Sequence, residues 1–326
     1  MGQLIAGKWS SQDQPRHDAG GNFNRQSSTF RNRIGEAGAN AFPPEPGRYH
    51  LFAAKGCPWA HRALIYYKLK GLEGAVSLSL AKGTDAQGWL YGNCDLAPSD
   101  IRAAIGVEAR SFNLHEFYAL ADPDFTGRAT TPVLWDRVQH TIVNNESSDI
   151  IRMFNSVFDQ CGAKPGDYYP QALRTEIDAM ADFTHRAINE GVYKSGYATT
   201  QEAYESACRA LFEGLDEIEN ILSGRRYLAG NRVTEADWRF FPTLVRFDVA
   251  YFSAFKCNLR RIADYPNLSN YLRELYQFPG VAETVDLEMY KRGYFSAKQR
   301  NPSGIIPLGP EIDLSLPHDR ARFKSA

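Results

Sequence analysis

Net charge is nearly missing from this chain of 326 residues, where 37 basic side chains stand against 38 acidic ones. Without a dominant sign there is no electrostatic case for nucleic acid or an anionic membrane as partner. Long apolar runs are missing too. The sequence has no early hydrophobic segment of the secretory kind and no stretch able to span a bilayer. The five cysteines, Cys57, Cys94, Cys161, Cys208 and Cys257, are an odd and scattered set. They read as free thiols of a soluble cytoplasmic protein, not as a disulfide framework. The seven histidines fall at no metal-ligand spacing, so no metal is expected. What the chain does have is length for two domains with real cores, and 13% aromatic residues. That is enough for a generous core or an aromatic-lined site.

The stretch that organises the rest is Gly56-Cys57-Pro58-Trp59-Ala60-His61-Arg62. Residues 48–54 ahead of it have the length and content of a short buried strand. Behind it, Trp59, Ala63, Leu64, Tyr67 and Leu69 keep a helical period that stops at Gly71. Pro58 suits the first helical position, where its missing N–H costs nothing. Cys57 is then the N-cap, its sulfur turned to free N–H groups and the positive end of the helix dipole. Such a setting can bring a thiol from about 8.5 into the range of roughly 3.5–7.5. Most free cysteines are instead buried small hydrophobes; the order strand, Cys-Pro, helix favours the reactive thiol. The fourth position of a Cys-x-x-Cys pattern is Ala60, which excludes dithiol chemistry within the motif. A lone activated thiol suits a mixed disulfide with glutathione, the abundant small thiol of a reducing compartment.

Residues 1–45, rich in Gly, Ser, Asn and Arg, predict an extended arm packed through Phe23, Phe30 and Phe42, or else a disordered tail. Residues 46–160 read as strand, helix and a second strand at 76–80, followed by a long connection from 81 to about 131. That connection holds a helix capped at Asn113 and, in Gly88-Trp89-Leu90-Tyr91, aromatic rings open to solvent. A hairpin over 132–136 and 141–145 and a helix burying Ile150, Ile151, Phe154 and Phe158 close the domain. This is the order of a thioredoxin-like α/β domain, where a proline at the place of Pro132 sits in cis opposite the cysteine. Residues 168–298 read as all-α. One stripe is Leu173, Ile177, Met180, Ala181 and Ile188. Another is Tyr204, Leu211, Leu215, Ile218 and Leu222, opened by Thr199-x-x-Glu202. Thr234 and Asp237 form a capping box, Pro242 falls inside the helix that follows, and a further helix covers 267–278. The tail, 299–326, holds too much Pro and Gly to be helical or a central strand.

A peptide thiol ligand brings an α-amino acid end that needs one anion site and one cation site. Glu146-Ser147 at a helix start offers both: free N–H groups and a hydroxyl for the carboxylate, and Glu146 for the ammonium. The backbone of Thr131, just before Pro132, is left to pair with the ligand in strand fashion. The plain alternative for Glu146-Ser147 is an ordinary capped helix.

A thioredoxin-like domain followed by an all-α domain with a capping box resembles the glutathione transferases. Several motifs narrow this. They are Gly56-Cys57-Pro58-Trp59-Ala60, Gly127-Arg128, Pro132-Val133-Leu134-Trp135-Asp136, Ile142-Val143-Asn144-Asn145-Glu146-Ser147, Arg246-Phe247-Asp248, Phe255-Lys256-Cys257-Asn258 and the 301–310 tail. Together they resemble the glutathionyl-hydroquinone reductases, the Xi class, over about residues 45–312; the cysteine motif alone also fits the omega class. The resemblance implies an α/β thioredoxin-like N-terminal domain plus an all-α glutathione-transferase C-terminal domain, assembled as a homodimer. It implies glutathione as co-substrate, held by Trp89, Arg128 to Thr131, Glu146 and Ser147. It also implies that Tyr193, Tyr251 and Tyr294 face the cysteine and bind or protonate the quinol. The chain departs from the pattern in two places: Thr131 where valine is common, and Gly293-Tyr294-Phe295 where His-Tyr-Tyr is expected. The implied reaction removes glutathione from glutathionyl-hydroquinones through a Cys57–glutathione mixed disulfide. The alternatives are an omega-like thioltransferase or dehydroascorbate reductase, and a non-catalytic glutathione-fold binding protein.

Overall fold

The computed structural model describes residues 2–12, 16–36, 41–92, 111–298 and 300–323. Cys94 and the 93–110 part of the long connection lie outside them. The chain forms two compact units, one of Met1–Pro15 with Gln26–Gly166 and one of Arg16–Arg25 with Asp167–Ala326. The N-terminal arm is thus shared out, its residues 16–25 belonging to the helical unit.

The first unit opens with a small hairpin, β1 (Gln3–Ile5) and β2 (Lys8–Ser10), where the sequence suggested only an extended arm. Leu4 exchanges backbone hydrogen bonds of 2.8 and 3.0 Å with Gly127. Gly127 has φ +150°, and a Cβ there would meet the Gln26 amide nitrogen at 2.3 Å, so only glycine fits. The main sheet runs β6-β5-β4-β3-β7-β8. Its centre is β3 (Tyr49–Ala53), a fully buried apolar run between parallel β4 (Val76–Asp85) and antiparallel β7 (Val133–Asp136). Leu51 sits in register with both Leu78 and Leu134. Helix α1 (Pro58–Leu69) makes the crossover from β3 to β4, and β8 (Thr141–Asn144) completes the hairpin with β7.

Among its described residues the long connection is mostly regular structure. Strand β4 continues to Asp85, whose carboxylate accepts the Gln87 N–H at 2.7 Å, and Gly88 at φ +100° turns the chain into β5 (Gly88–Gly92). Strand β6 (Ser111–Asn113) and helix α2 (Leu114–Ala121) follow, with the capping box of Asn113 and Glu116 formed. Two apart on β5, Trp89 and Tyr91 share the face that packs on the aromatic cluster, where Tyr91 is buried beside Phe52 and Phe112 and Trp89 is half-buried. The expectation of exposed rings fails for Tyr91 on that account. Phe30 of the arm packs on the same cluster, stacked on Phe125 at 5.7 Å. The last helix, α3 (Ser147–Ser156), buries Ile150, Ile151 and Phe154.

The second unit is helical: α4 (Arg174–Thr184), α5 (Gly191–Tyr197), α6 (Gln201–Gly224), α7 (Glu235–Arg246), the single turn α8 (Phe252–Ala254), α9 (Pro266–Gln277) and α10 (Leu287–Phe295). The expected stripe Leu211, Leu215, Ile218 and Leu222 is the buried face of α6. Its cap is Thr200, whose hydroxyl accepts the Ala203 N–H at 3.2 Å, not Thr199. Thr199 instead gives its own N–H to Gly21 of the arm, 3.1 Å away, which holds it outside the helix. Thr234 and Asp237 close their capping box with a 2.7 Å bond from the Thr234 N–H. Two π-helical turns interrupt the helices, His185–Asn189 before α5 and Phe247–Tyr251 after α7. In the tail, Arg320 is fully buried and donates to the carbonyls of Leu222 (2.7 Å) and Arg226 (2.8 Å), satisfying groups at and just beyond the end of α6. No helix among the described residues is long and apolar enough to cross a membrane.

Candidate active site

In the first unit the site grows from the β3–α1 turn. Cys57 is the N-cap of α1 with extended backbone (φ −86°, ψ 122°), and Pro58 is the first helical residue. The thiol is buried at 8% exposure and makes no cap bond; its Sγ points at the Thr131 carbonyl, 3.4 Å away. The Thr131–Pro132 peptide is cis. The Thr131 hydroxyl donates inward to the Phe52 carbonyl at 3.3 Å, which gives threonine a partner where valine is common. Ala60 is fully buried, and no second sulfur is bonded to Cys57.

The start of α3 supplies the second part. Glu146 is its N-cap, and its Oε1 accepts from the Ser148 N–H and Ser148 hydroxyl, both at 3.1 Å, and from the Ser147 hydroxyl at 3.4 Å. Burial pushes the Glu146 carboxyl up. The Ser148 N–H, the Arg62 guanidinium and the hydroxyls of Ser28 and Ser148 more than offset this and hold it below the usual carboxylate value. The carboxylate is therefore a half-buried anion, fit for an ammonium. Neither the Ser147 N–H nor the Thr131 N–H donates to a described residue, so both remain for an incoming peptide. Helix start and anion thus offer the charge pair that an amino acid end requires.

Three contributors were not singled out from the sequence. Arg62, at 1% exposure, lies over the Trp59 ring at 4.6 Å and donates to the Ser147 hydroxyl at 3.3 Å, joining α1 to α3. A cation inside an otherwise buried helix was the available signal. Ser28 of the arm donates to Glu146 Oε2 at 3.0 Å, and Gln26 accepts the Arg128 N–H at 3.2 Å; nothing local in the sequence marks either. Among the described residues no hydrogen bond joins Trp89, on β5, to this set. No group of three or more His, Cys, Asp or Glu among the described residues could hold a metal.

In the second unit the three tyrosines come together. Tyr193 lies on α5, Tyr251 ends a π-helical turn, and Tyr294 lies on α10. The Tyr294 hydroxyl is 2.9 Å from that of Tyr193 and 3.0 Å from that of Tyr251. The member whose surroundings depart from the expected tripeptide is therefore the shared one. A π turn adds a residue to the helical register and re-aims the side chains at its end, as commonly happens at functional sites. Tyr193 and Tyr294 keep 9% exposure each, whereas Tyr251 has none. Burial pushes the Tyr251 phenol well above its ordinary value, Tyr294 adds to this, and the buried Arg246 guanidinium opposes it. Arg246 stacks on the Tyr290 ring at 3.6 Å and donates to the Pro242 carbonyl at 2.9 Å. The arrangement is a chain of phenol hydroxyls able to pass or donate a proton without a buried net charge.

Known proteins resemble the chain over nearly its whole length. Residues 56–157 match the family "Glutathione S-transferase, N-terminal domain", and residues 201–274 match "Glutathione S-transferase, C-terminal domain". The chain is 48% identical to glutathionyl-hydroquinone reductase YqjG of Escherichia coli over 98% of both chains. It is 49% identical to glutathionyl-hydroquinone reductase PcpF of Sphingobium chlorophenolicum over 96% of this chain and 98% of that one. The glutathione-bound structure of YqjG superposes with a TM-score of 0.85 at 45% identity, covering 99% of this chain and 100% of that one. A Xi-class transferase from Natrialba magadii superposes with a TM-score of 0.87 at 39% identity, covering 99% and 97%.

Proposed function

Since the chain belongs to the glutathionyl-hydroquinone reductases, the Xi class of glutathione transferases, we propose how its own residues divide the reaction. The enzyme reduces glutathionyl-hydroquinones to hydroquinones, with glutathione as co-substrate. The Cys57 thiolate attacks the ligand sulfur, forming the S–S bond of a mixed disulfide as the ring C–S bond breaks. A second glutathione then attacks that disulfide and leaves as glutathione disulfide. Glu146 and the Ser147 helix start take the γ-glutamyl end, Thr131 pairs with the peptide backbone, and Trp89 and Arg128 complete the glutathione contacts.

An aryl thioether is a poor target for a thiolate, because the leaving group is carbon. Attack becomes feasible once the sulfur-bearing ring carbon is protonated and the departing electrons are taken up as a phenolate. We assign that proton to Tyr193 and a quinol oxygen to Tyr294. Tyr251 was expected to touch the quinol; with no exposed surface it acts behind Tyr294, orienting its hydroxyl. The observation that carries this reading is the shared hydroxyl of Tyr294. An omega-like thioltransferase needs the cysteine but no such chain, and a binding module needs neither. The protein is further proposed to act in the cytoplasm as a homodimer, so sedimentation should return twice its 36.6 kDa mass.

The test is incubation with a glutathionyl-hydroquinone and glutathione. Free quinol and glutathione disulfide should appear in equal amounts. Reduction of simple glutathione mixed disulfides with no quinol release would identify a thioltransferase instead.

A further inference from the structure

The tyrosine cluster continues into a wider aromatic platform on the same unit. Tyr193 stacks parallel to Tyr197 at 6.1 Å, and Tyr197 stacks on Phe23 of the arm at 5.1 Å. Both tyrosines meet Phe255 edge-on at 5.4 Å. Three guanidinium groups lie over this platform. Arg25 is 4.6 Å from the Tyr193 ring centre, Arg16 is 5.0 Å from that of Tyr197, and Arg300 is 4.9 Å from the same ring.

Of the three, Arg25 is ion-paired, with Glu190 at 2.6 Å. Arg16 and Arg300 make no ion pair among the described residues, and the Arg300 Nε is buried without a hydrogen-bond partner. The crowding has a cost. Burial pulls the Arg16 guanidinium below its ordinary value, and Arg25 and Arg300 pull it further, against the favourable effect of Tyr197. Ring faces offset part of this but carry no net charge. Holding the arm does not require the two extra cations, because other contacts already do so. The Arg25–Glu190 pair, the Thr199 N–H to Gly21 carbonyl bond and the 2.9 Å bond from the Thr200 hydroxyl to the Gly20 carbonyl fix it to α5 and α6.

We propose that Arg16 and Arg300 form an anion subsite beside Tyr193 that takes a carboxylate borne by the hydroquinone ring. The favoured substrates are then glutathionyl adducts of acidic hydroquinones. A planar carboxylate matches the guanidinium fork, and the continuous aromatic surface leads from the quinol-binding phenol to the two cations. The proposal rests on Tyr193 being a quinol-binding group.

The experiment compares two substrates, the glutathionyl adduct of 2,5-dihydroxybenzoate and that of its carboxamide. The wild-type enzyme should favour the acid in kcat/KM by about 10- to 100-fold, the worth of one hydrogen-bonded charge contact. Arg300→Gln and Arg16→Gln should each lower the acid-to-amide ratio by about tenfold, and Arg300→Lys should restore part of it. Calorimetric binding of free 2,5-dihydroxybenzoate against its carboxamide reads the subsite independently of turnover, so failure of the reductase reading shows up separately. A wild-type ratio near one in both binding and turnover overturns the proposal. So does an equal loss for both substrates in the variants, which would place the arginines on a glutathionyl carboxylate common to both.

Discussion

Replacing Tyr294 with phenylalanine removes one hydroxyl and breaks two hydrogen bonds, of 2.9 and 3.0 Å. The damage reaches Tyr251, which has no exposed surface and loses its 3.0 Å bond to Tyr294 while keeping a hydrogen bond with Tyr193. Each hydrogen bond is worth about 0.5–1.5 kcal/mol, so the loss of two costs about 1–3 kcal/mol, whereas removing both members of a bonded pair is nearly neutral. Tyr294→Phe should therefore destabilise the protein by about 1–3 kcal/mol. Tyr251→Phe should cost about 0.5–1.5 kcal/mol. The double variant should cost less than the sum of the two, with a coupling of about 1 kcal/mol or more. For a folding unit of 150–250 residues each kcal/mol moves Tm by about 2–4 °C, so Tyr294→Phe should melt roughly 2–12 °C lower. Calorimetry on the four proteins of the cycle measures this. Additive losses would mean that the hydroxyls are not coupled, and the proton chain built on them would go with that result.

Tyr193→Phe should slow quinol release by about a hundredfold while reduction of simple glutathione mixed disulfides continues, since a thiolate leaving group needs no acid. Equal slowing of both reactions would make the residue a shaper of the pocket and not the acid. Cys57→Ser should abolish turnover yet retain glutathione binding by calorimetry; residual quinol release at more than a few per cent would point to another nucleophile. Glu146→Gln or Ser147→Ala should raise KM for the second glutathione by about 10- to 100-fold, the worth of one hydrogen bond to a charged group. Because the folded Glu146 value lies below its unfolded one of 4.5, its stabilising effect is present above that pH and is lost as pH falls through the lower folded value. Glu146→Gln should accordingly flatten the acid limb of the stability curve, and an unchanged limb would show that its hydrogen bonds are no better than those of the unfolded chain.

The central strand, the Cys-Pro helix start and the capping boxes were legible in the sequence because each is a local pattern of neighbours a few residues apart. Trp89 and Tyr91 misled because a short strand between glycines looks like loop until its partners on both sides are known. Thr199 and Thr200 are equally good caps on paper; only the distant pairing with Gly21 decides between them. Arg62 stands out as a cation in an apolar helix, but its partner on α3 shows only when the two helices are laid together. Tyr294 could be picked out of seventeen tyrosines only by resemblance, for its two partners are 43 and 101 residues away.

The ten residues from Arg16 to Arg25 are made early, yet their seats are made late. Arg25 and Glu190 are 165 residues apart, and Gly20 and Thr200 are 180. At about 5–20 residues per second, roughly 10–30 s of synthesis separate one from the other. During that interval the segment has nothing to dock on, and its aromatic and cationic side chains face water. Closing so long a loop adds little entropy beyond that of a shorter one, so the delay is kinetic more than thermodynamic. Docking of this segment therefore waits on residues made much later, and a nascent chain stopped short of residue 200 lacks part of the place where it belongs.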